Sequence, residues 1–434
     1  MSPLSIAIAG CGIGGLAAAL LLERQGHRVT LYERFAEPRP VGSGLMLQPT
    51  GMAVLAALGL AEAVVARGAP VDALLGRNTE GEAVLEAAYA DLPIPDAFGL
   101  GIHRASLFGT LFDAVQASGV MIVTDHEVTG SACVPAGRYL TFADDTQSPP
   151  HDLVIDALGV GSPLVPHREA TLPFGALWAT VDWPGGGAFD ARLLEQRYRR
   201  ADRMVGVLAV GEGRAAFFWS LRGDEYPGWL TAGMPGFRSE VCRLWPACEA
   251  VCDQLTDPHQ LTFARYAHRT SPAATGERTA HVGDAWHAAS PQLGQGANMA
   301  LLDAFGLARA LEQADTLDVA LARYVSLRKE HVRLYQWLTW GFTPPFQSSS
   351  IWPALFRDLL MAPGSRIPPG PKLKAHLVAG LAGARLDELG LGLPDYSALA
   401  AVSAVSASSM TARASSPSHS HAPITRQTSR PSAS

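Results

Sequence analysis

Two glycine-rich segments, far apart in the chain, carry the residue types from which chemistry can be read. The first is Gly10-x-Gly12-x-x-Gly15. It follows a short apolar run, Leu4 to Ala9, and opens a helix over 15–25 that Gly26 stops. In such a turn the first glycine permits the sharp change of direction. The second lets backbone approach a pyrophosphate, and the third lets helix pack closely on strand. The helix N-terminus offers free N–H groups and a positive dipole end to phosphate. Val29 to Tyr32 is the next strand, and Glu33 at its end can accept both hydroxyls of an adenosine ribose. A 2′-phosphate would be repelled there, so the site disfavours NADP.

The second segment runs Val282-Gly283-Asp284-Ala285-Trp286-His287 and continues through Pro291, Gly294, Gly296, Ala297 and Asn298. Asp284 ends a strand, where a carboxylate repels pyrophosphate but accepts hydrogen bonds from a polyol. Gly294, Gly296 and Asn298 start a helix whose N-terminus can stabilise negative charge on a reduced ring. Pro291 stiffens the loop against one ring face. A polyol and an electron-accepting ring point to the flavin end of FAD, so the two segments together indicate that cofactor. Arg104, entering a helix over 106–118, can pair with pyrophosphate or the ribityl chain. No catalytic side chain is firmly assigned. His287 and Pro291 are the candidates, and His287 reads first as structural, since a cofactor supplies the hard step.

These residues need an α/β frame: a Rossmann-like FAD-binding domain with a parallel sheet, and a smaller substrate domain with a mostly antiparallel sheet. The expected partition gives 1–75, 98–170 and 267–340 to a discontinuous FAD-binding domain, and 76–97 and 171–266 to the substrate domain. Residues 341–398 form a helical C-terminal cap, and 399–434, rich in Ser, Ala, Thr and Pro, a disordered tail. Helices are expected at 237–251 and 317–339. Phe217 and Trp219 share one face of a strand and, with Phe346, are candidates for the substrate pocket. The apolar stretch Trp352 to Met361, interrupted by Arg357 and Asp358, reads as a helix packed against the domain.

The chain has 434 residues, 48% hydrophobic and 17% charged, and a formal charge of −6. That balance argues against nucleic acid as a partner. The five cysteines are too few and too scattered for a disulfide framework, and no His or Cys pair at zinc spacing accompanies the neighbours Cys242, Cys248 and Cys252, so no metal is expected. The uncharged stretch Leu4 to Leu22 contains four glycines and has no basic flank, so it reads as strand, turn and helix rather than a leader or membrane span. A cytoplasmic protein without a transmembrane segment, monomeric or homodimeric, is expected.

In their order these motifs resemble the FAD-dependent single-component aromatic hydroxylases, flavoprotein monooxygenases with the para-hydroxybenzoate hydroxylase-like fold. The resemblance rests on Gly10-x-Gly12-x-x-Gly15 with Glu33-Arg34, on Val41-Gly42-Ser43-Gly44-Leu45 with Gln48-Pro49, on Arg104, and on the Gly283–Asn298 segment. It implies that Gly10, Gly12, Ile13, Gly14, Gly15, Glu33, Arg34, Gly44, Gln48, Arg104, Asp284, Pro291, Gly294, Gly296, Ala297 and Asn298 hold FAD. It also implies reduction by NADH or NADPH, capture of O2 as a flavin C4a-hydroperoxide, and hydroxylation of an aromatic or polycyclic small molecule. The family's middle motif, Ala-Asp-Gly with a following Ser and Arg, is altered: Leu158 replaces the acid and Val165 stands at the Arg position. That change leaves the route of flavin reduction open. It also leaves room for an FAD-dependent reductase or dehydrogenase of an apolar, isoprenoid-like substrate.

Overall fold

The computed structural model describes residues 1–39, 42–166, 171–185 and 187–414, without the side chains of 407–414. Val41 and the tail beyond 414, with its histidines, lie outside the described residues.

Short apolar runs bounded by turns become a six-stranded sheet in the order Thr275–Gly276, Thr279–His281, Leu153–Asp156, Ser5–Ala9, Arg28–Tyr32, Met121–Val123. Its strands run parallel except for the antiparallel edge pair Thr275–Gly276 and Thr279–His281. Ile6, Ile8, Leu153 and Ile155 are completely buried, as expected when both faces of a parallel sheet are covered. The helices Ile13–Arg24 and Gly296–Glu312 pack on one another. The two glycine-rich segments therefore meet although they are almost 300 residues apart (Gly12 to Gly296, 296 − 12 = 284).

A seven-stranded sheet follows the order Thr262–Ala267, Thr171–Asp182, Arg214–Arg222, Arg203–Ala209, Leu193–Arg199, Ala73–Arg77, Ala83–Ala88. One pair within it, Leu193–Arg199 beside Ala73–Arg77, is parallel. Residues alternate across this sheet, and the alternation corrects the expected pocket. Phe217 and Trp219 face a core built with Phe237 and Trp229 of the covering helix. Phe218, between them, faces the opposite side with Met46, Val210 and Phe346. The period was readable in the sequence, but which face meets the helix depends on long-range packing. A three-stranded sheet of Gly44–Leu47, Gly99–His103 and Ala69–Val71 joins the two larger ones.

The helix expected over 237–251 is Tyr226–Leu244, kinked at Gly233 (φ 69°) and finished before Pro246. The helix Leu317–Phe346 runs past its expected end at 339, because Pro344 and Pro345 fall in its last turn and end it there. Ile351–Phe356 continues into a wide π turn, Arg357–Met361. Its inward residues are Ala354 and Arg357, so most of its apolar side is not packed against the domain as expected. A helix, Tyr396–Ala414, occupies the first part of the segment expected to be disordered. Its alanines favour helix, and Leu399 is buried in the main core.

Candidate active site

The phosphate-binding turn is shaped by side chains that are absent. Gly10 has φ +104° and lies so close to the next strand that a Cβ would sit 2.7 Å from the Ala157 carbonyl oxygen. A Cβ on Gly15 would sit 2.1 Å from the Gly10 carbonyl oxygen. Gly12, by contrast, has nothing within 4 Å of an added Cβ, and it caps the helix that begins at Ile13. Gly14 turns away and packs on Ala300, and Ile13 is half-buried. The Glu33 carboxylate is buried and accepts hydrogen bonds from the backbone N–H of Cys11 (2.9 Å) and Phe35 (3.1 Å). It is thus fixed beside the turn with lone pairs to spare for a diol. Burial and the Glu33 charge push the Cys11 thiol up to about 12, so it stays protonated. Arg34 lies outside this geometry, exposed and stacked 4.6 Å over Phe35.

Across the cleft, Arg104 and Asp284 share an unusual setting. Both reach solvent, yet protein surrounds them closely enough to desolvate their charges. Desolvation raises the Asp284 carboxyl above its ordinary value, opposed by the charges of His287, Arg104 and Arg269. Desolvation lowers Arg104, opposed by Asp284. A Cβ on Gly42 would lie 3.2 Å from Arg104 Nε, so the guanidinium lies along that loop. Gly44 serves packing rather than the cleft: a Cβ there would come within 2.6 Å of Val210 and Ala216.

The loop from Gly283 to Asn298 is held from behind. Asp303 is completely buried, and its carboxylate accepts from the Gly283 N–H (2.9 Å), His287 Nε2 (2.5 Å) and Arg328 Nε (2.8 Å). Burial alone would raise Asp303, but the His287 and Arg328 charges outweigh it and hold the group below the ordinary carboxylate range. His331 closes the network. Its Nδ1 accepts from Arg328 Nη1 (2.9 Å), and its Nε2 donates to the Gly380 carbonyl (2.9 Å). Burial and the adjacent Arg328 lower it to about 3, so it is neutral. His287 is thus buried behind the loop and paired with Asp303, whereas Pro291 is exposed at the start of a short turn ending at Gly294.

Asn298 departs from its expected orientation. Its side chain is fully buried and accepts from the Gln48 N–H (2.8 Å) while donating to the Met46 (3.2 Å) and Gly294 (3.1 Å) carbonyls. It ties the loop to the Gly44–Leu47 strand, and what it offers the cleft is its place in the first helical turn. Gly296, the first residue of that turn, is exposed with nothing within 4 Å of an added Cβ. Gln48 is buried and accepts from the Tyr89 hydroxyl, next to Met46.

Three features escaped the sequence reading. Asp303 with Arg328 and His331 follows no motif spacing that links distant helices. Arg269 is buried with Nε and Nη2 unpartnered among the described residues, and its charge acts on Asp284. Asp156, two residues before Leu158, is completely buried and accepts from Ser162 Oγ (2.6 Å), His281 Nδ1 (2.8 Å) and the Leu158 N–H (3.1 Å). A carboxylate thus still organises the middle motif's turn, from the strand end rather than from position 158. A broad concavity of about 840 Å3 lies elsewhere, beside the edge strand Met121–Val123, and none of these residues lines it.

The residues fit FAD. Gly12, Gly159, Gly161 and Gly296 have no protein atom within 4 Å of an added Cβ, the Glu33 carboxylate is preset beside the first of them, and the charges of Arg104 and Arg269 act on Asp284. Comparison with known proteins agrees. Residues 4–143 and 187–334 match the family described as FAD binding domain. Kynurenine 3-monooxygenase of Stenotrophomonas maltophilia is 30% identical over 358 residues, covering 76% of this chain and 77% of that protein. FAD-dependent urate hydroxylase of Klebsiella pneumoniae is 27% identical over 343 residues, covering 75% and 86%. The tetrameric form of 2-methyl-3-hydroxypyridine-5-carboxylic acid oxygenase superposes with a TM-score of 0.74 at 20% identity, over 91% of this chain and 99% of that one. Klebsiella pneumoniae HpxO complexed with FAD and uric acid superposes with a TM-score of 0.71 at 22% identity, over 86% and 97%.

Proposed function

The chain belongs to the FAD-dependent aromatic hydroxylase family, an FAD-dependent monooxygenase by that membership, and from there we propose how its own residues serve the reaction. The observation that carries the reading is the packing of the helix that Gly12 opens against the helix that begins at Gly296, with Glu33 fixed beside the first turn and Gly12, Asp284 and Gly296 exposed. When bound, FAD supplies the redox chemistry and the activation of O2. The chain supplies positioning and electrostatics. Glu33 accepts the ribose hydroxyls, and the N–H groups before Leu16 receive the pyrophosphate, with Arg104 and Arg269 offsetting its charge. Asp284 accepts from the ribityl chain. The first turn of Gly296–Glu312 stabilises negative charge on the ring, since preorganised donors cost no reorientation during reaction. Phe218 of the seven-stranded sheet, packed in one buried cluster with Val210, Met46, Tyr89 and Phe346, forms an apolar wall that excludes water and suits a flat ring. Phe218 lies 4.9 Å from Trp178, centroid to centroid, which stiffens that wall.

The substrate is an aromatic or polycyclic small molecule. That class is supported by the aromatic compounds in the relatives' names, kynurenine, urate and 6-hydroxynicotinate. NADH or NADPH is the proposed reductant, and the setting is cytoplasmic. Turnover under 18O2 with each nicotinamide and a panel of hydroxylated and nitrogen-containing aromatics tests the proposal. The expected product carries one 18O atom and forms only with O2. Substrate conversion at the same rate without O2 would overturn it.

A further inference from the structure

The C-terminal part of the chain exposes more large apolar side chains than any other described region. On the helix Leu317–Phe346, Trp337 and Trp340 are 69% and 62% exposed. On the following helical segment, Trp352, Phe356, Leu359 and Leu360 are 75%, 52%, 68% and 65% exposed. Their spacing places them on one side of that segment, because Ala354 and Arg357 on the other side are buried. Arg357 holds the segment down. Its Nη1 donates to the Pro345 carbonyl (3.1 Å), and its guanidinium stacks over Tyr198 (5.0 Å) and Phe346 (5.3 Å). The apolar face is thus presented by a well-anchored element. A patch of this kind on a folded protein marks an interaction surface.

Charge identifies the occupant. The chain as a whole has 40 acidic and 34 basic residues, yet residues 331–374 contain Arg333, Arg357, Arg366, Lys372 and Lys374 and a single acid, Asp358. Asp358 is spent on Arg357, at 2.6 Å. Lys374 faces Glu86 and Asp91, and Arg366 donates to the Ala83 carbonyl, so the free basic rim is led by Arg333 and Lys372, both exposed. On the long helix, Lys329, Arg333, Trp337 and Trp340 form one stripe at helical spacing, basic at one end and aromatic at the other. A second copy docked by twofold symmetry would set the basic rim against itself.

We propose that this face docks on an anionic lipid bilayer, with Trp337, Trp340 and Trp352 in the headgroup layer and the basic rim on the lipid charge. Among the described residues no helix is long and apolar enough to cross a membrane, and the proposed contact is peripheral. The test uses the FAD-loaded enzyme with sedimenting vesicles of phosphatidylcholine, with and without phosphatidylglycerol, some carrying brominated chains. Expected are binding to the anionic vesicles that weakens with salt, and bromine quenching of tryptophan emission. Lys372→Glu weakens binding by at least about fivefold, the worth of one basic residue near such a surface. Trp352→Ser lowers the quenching, of which Trp337 and Trp340 keep a share, with FAD content and circular dichroism unchanged. Equal binding to neutral vesicles, or none to either, overturns the proposal. So does a dimer in sedimentation equilibrium that Trp352→Ser dissociates, which would assign the face to a second copy.

Discussion

The two ends of the cofactor cleft are built on opposite principles. At the adenosine end, shape comes from what is missing: Gly10, Gly12 and Gly15 let backbone approach, and one acid, Glu33, is fixed by two backbone N–H groups. At the ring end, shape comes from buried polar side chains behind the loop, with Asp303 joined to His287 and Arg328, and Asn298 joined to Met46, Gln48 and Gly294. At the first end Gly10 and Gly15 serve packing, and Gly12 alone of the three glycines borders open space. The second is part of the fold's interior, where an unpaired charge is costly. Binding and stability should therefore separate between the two ends.

The largest effect is expected from breaking the ring end. Asp303→Ala leaves Arg328 completely buried without its partner and should destabilise the apoprotein by about 3–5 kcal/mol. Urea denaturation measures this, and a loss near that of an ordinary surface change would place the loop's support elsewhere. Gly12→Val is the converse test. The added Cβ meets no protein atom within 4 Å, so apoprotein stability should change far less than in Asp303→Ala. FAD affinity should fall roughly a hundredfold or more, because the side chain takes the space of the pyrophosphate. A variant that keeps FAD at full stoichiometry would remove the turn from the site.

A smaller effect is the pH dependence contributed by His331. Folded, it titrates near about 3 against an ordinary value of 6.5, because burial and Arg328 disfavour its charged form. Between these values the unfolded chain binds a proton that the folded chain does not. Stability should accordingly fall as pH drops below 6.5, by at most about 1.4 kcal/mol per pH unit from this group. Urea midpoints at pH 7.5 and pH 5 should differ less in His331→Gln than in the natural protein. An equal difference would assign the acid sensitivity to other groups.

The same contrast explains what was legible in the sequence. The adenosine end is local: strand, three glycines, helix and Glu33 fall within 30 residues, and each follows from backbone geometry that a linear pattern records. The Gly283–Asn298 loop was legible for its composition, but its supports were not. Asp303 lies on the next helix, and Arg328 and His331 lie on the one after, brought together only by packing. Phe217 and Phe218 make the same point within a single strand. The period of 2 was visible, while the choice of face was settled by the helix Tyr226–Leu244 covering one side. Leu158 in the middle motif looked like a lost acid, and Asp156 shows the carboxylate entering from the strand end instead.

The claim that one cofactor spans both ends is tested most directly by titrating the apoprotein with FAD, FMN and riboflavin while following flavin fluorescence. The account predicts tight uptake of FAD, with FMN and riboflavin bound at least about tenfold more weakly. Glu33→Gln should weaken FAD alone. Equal affinity for all three flavins, or no uptake of any, would contradict it.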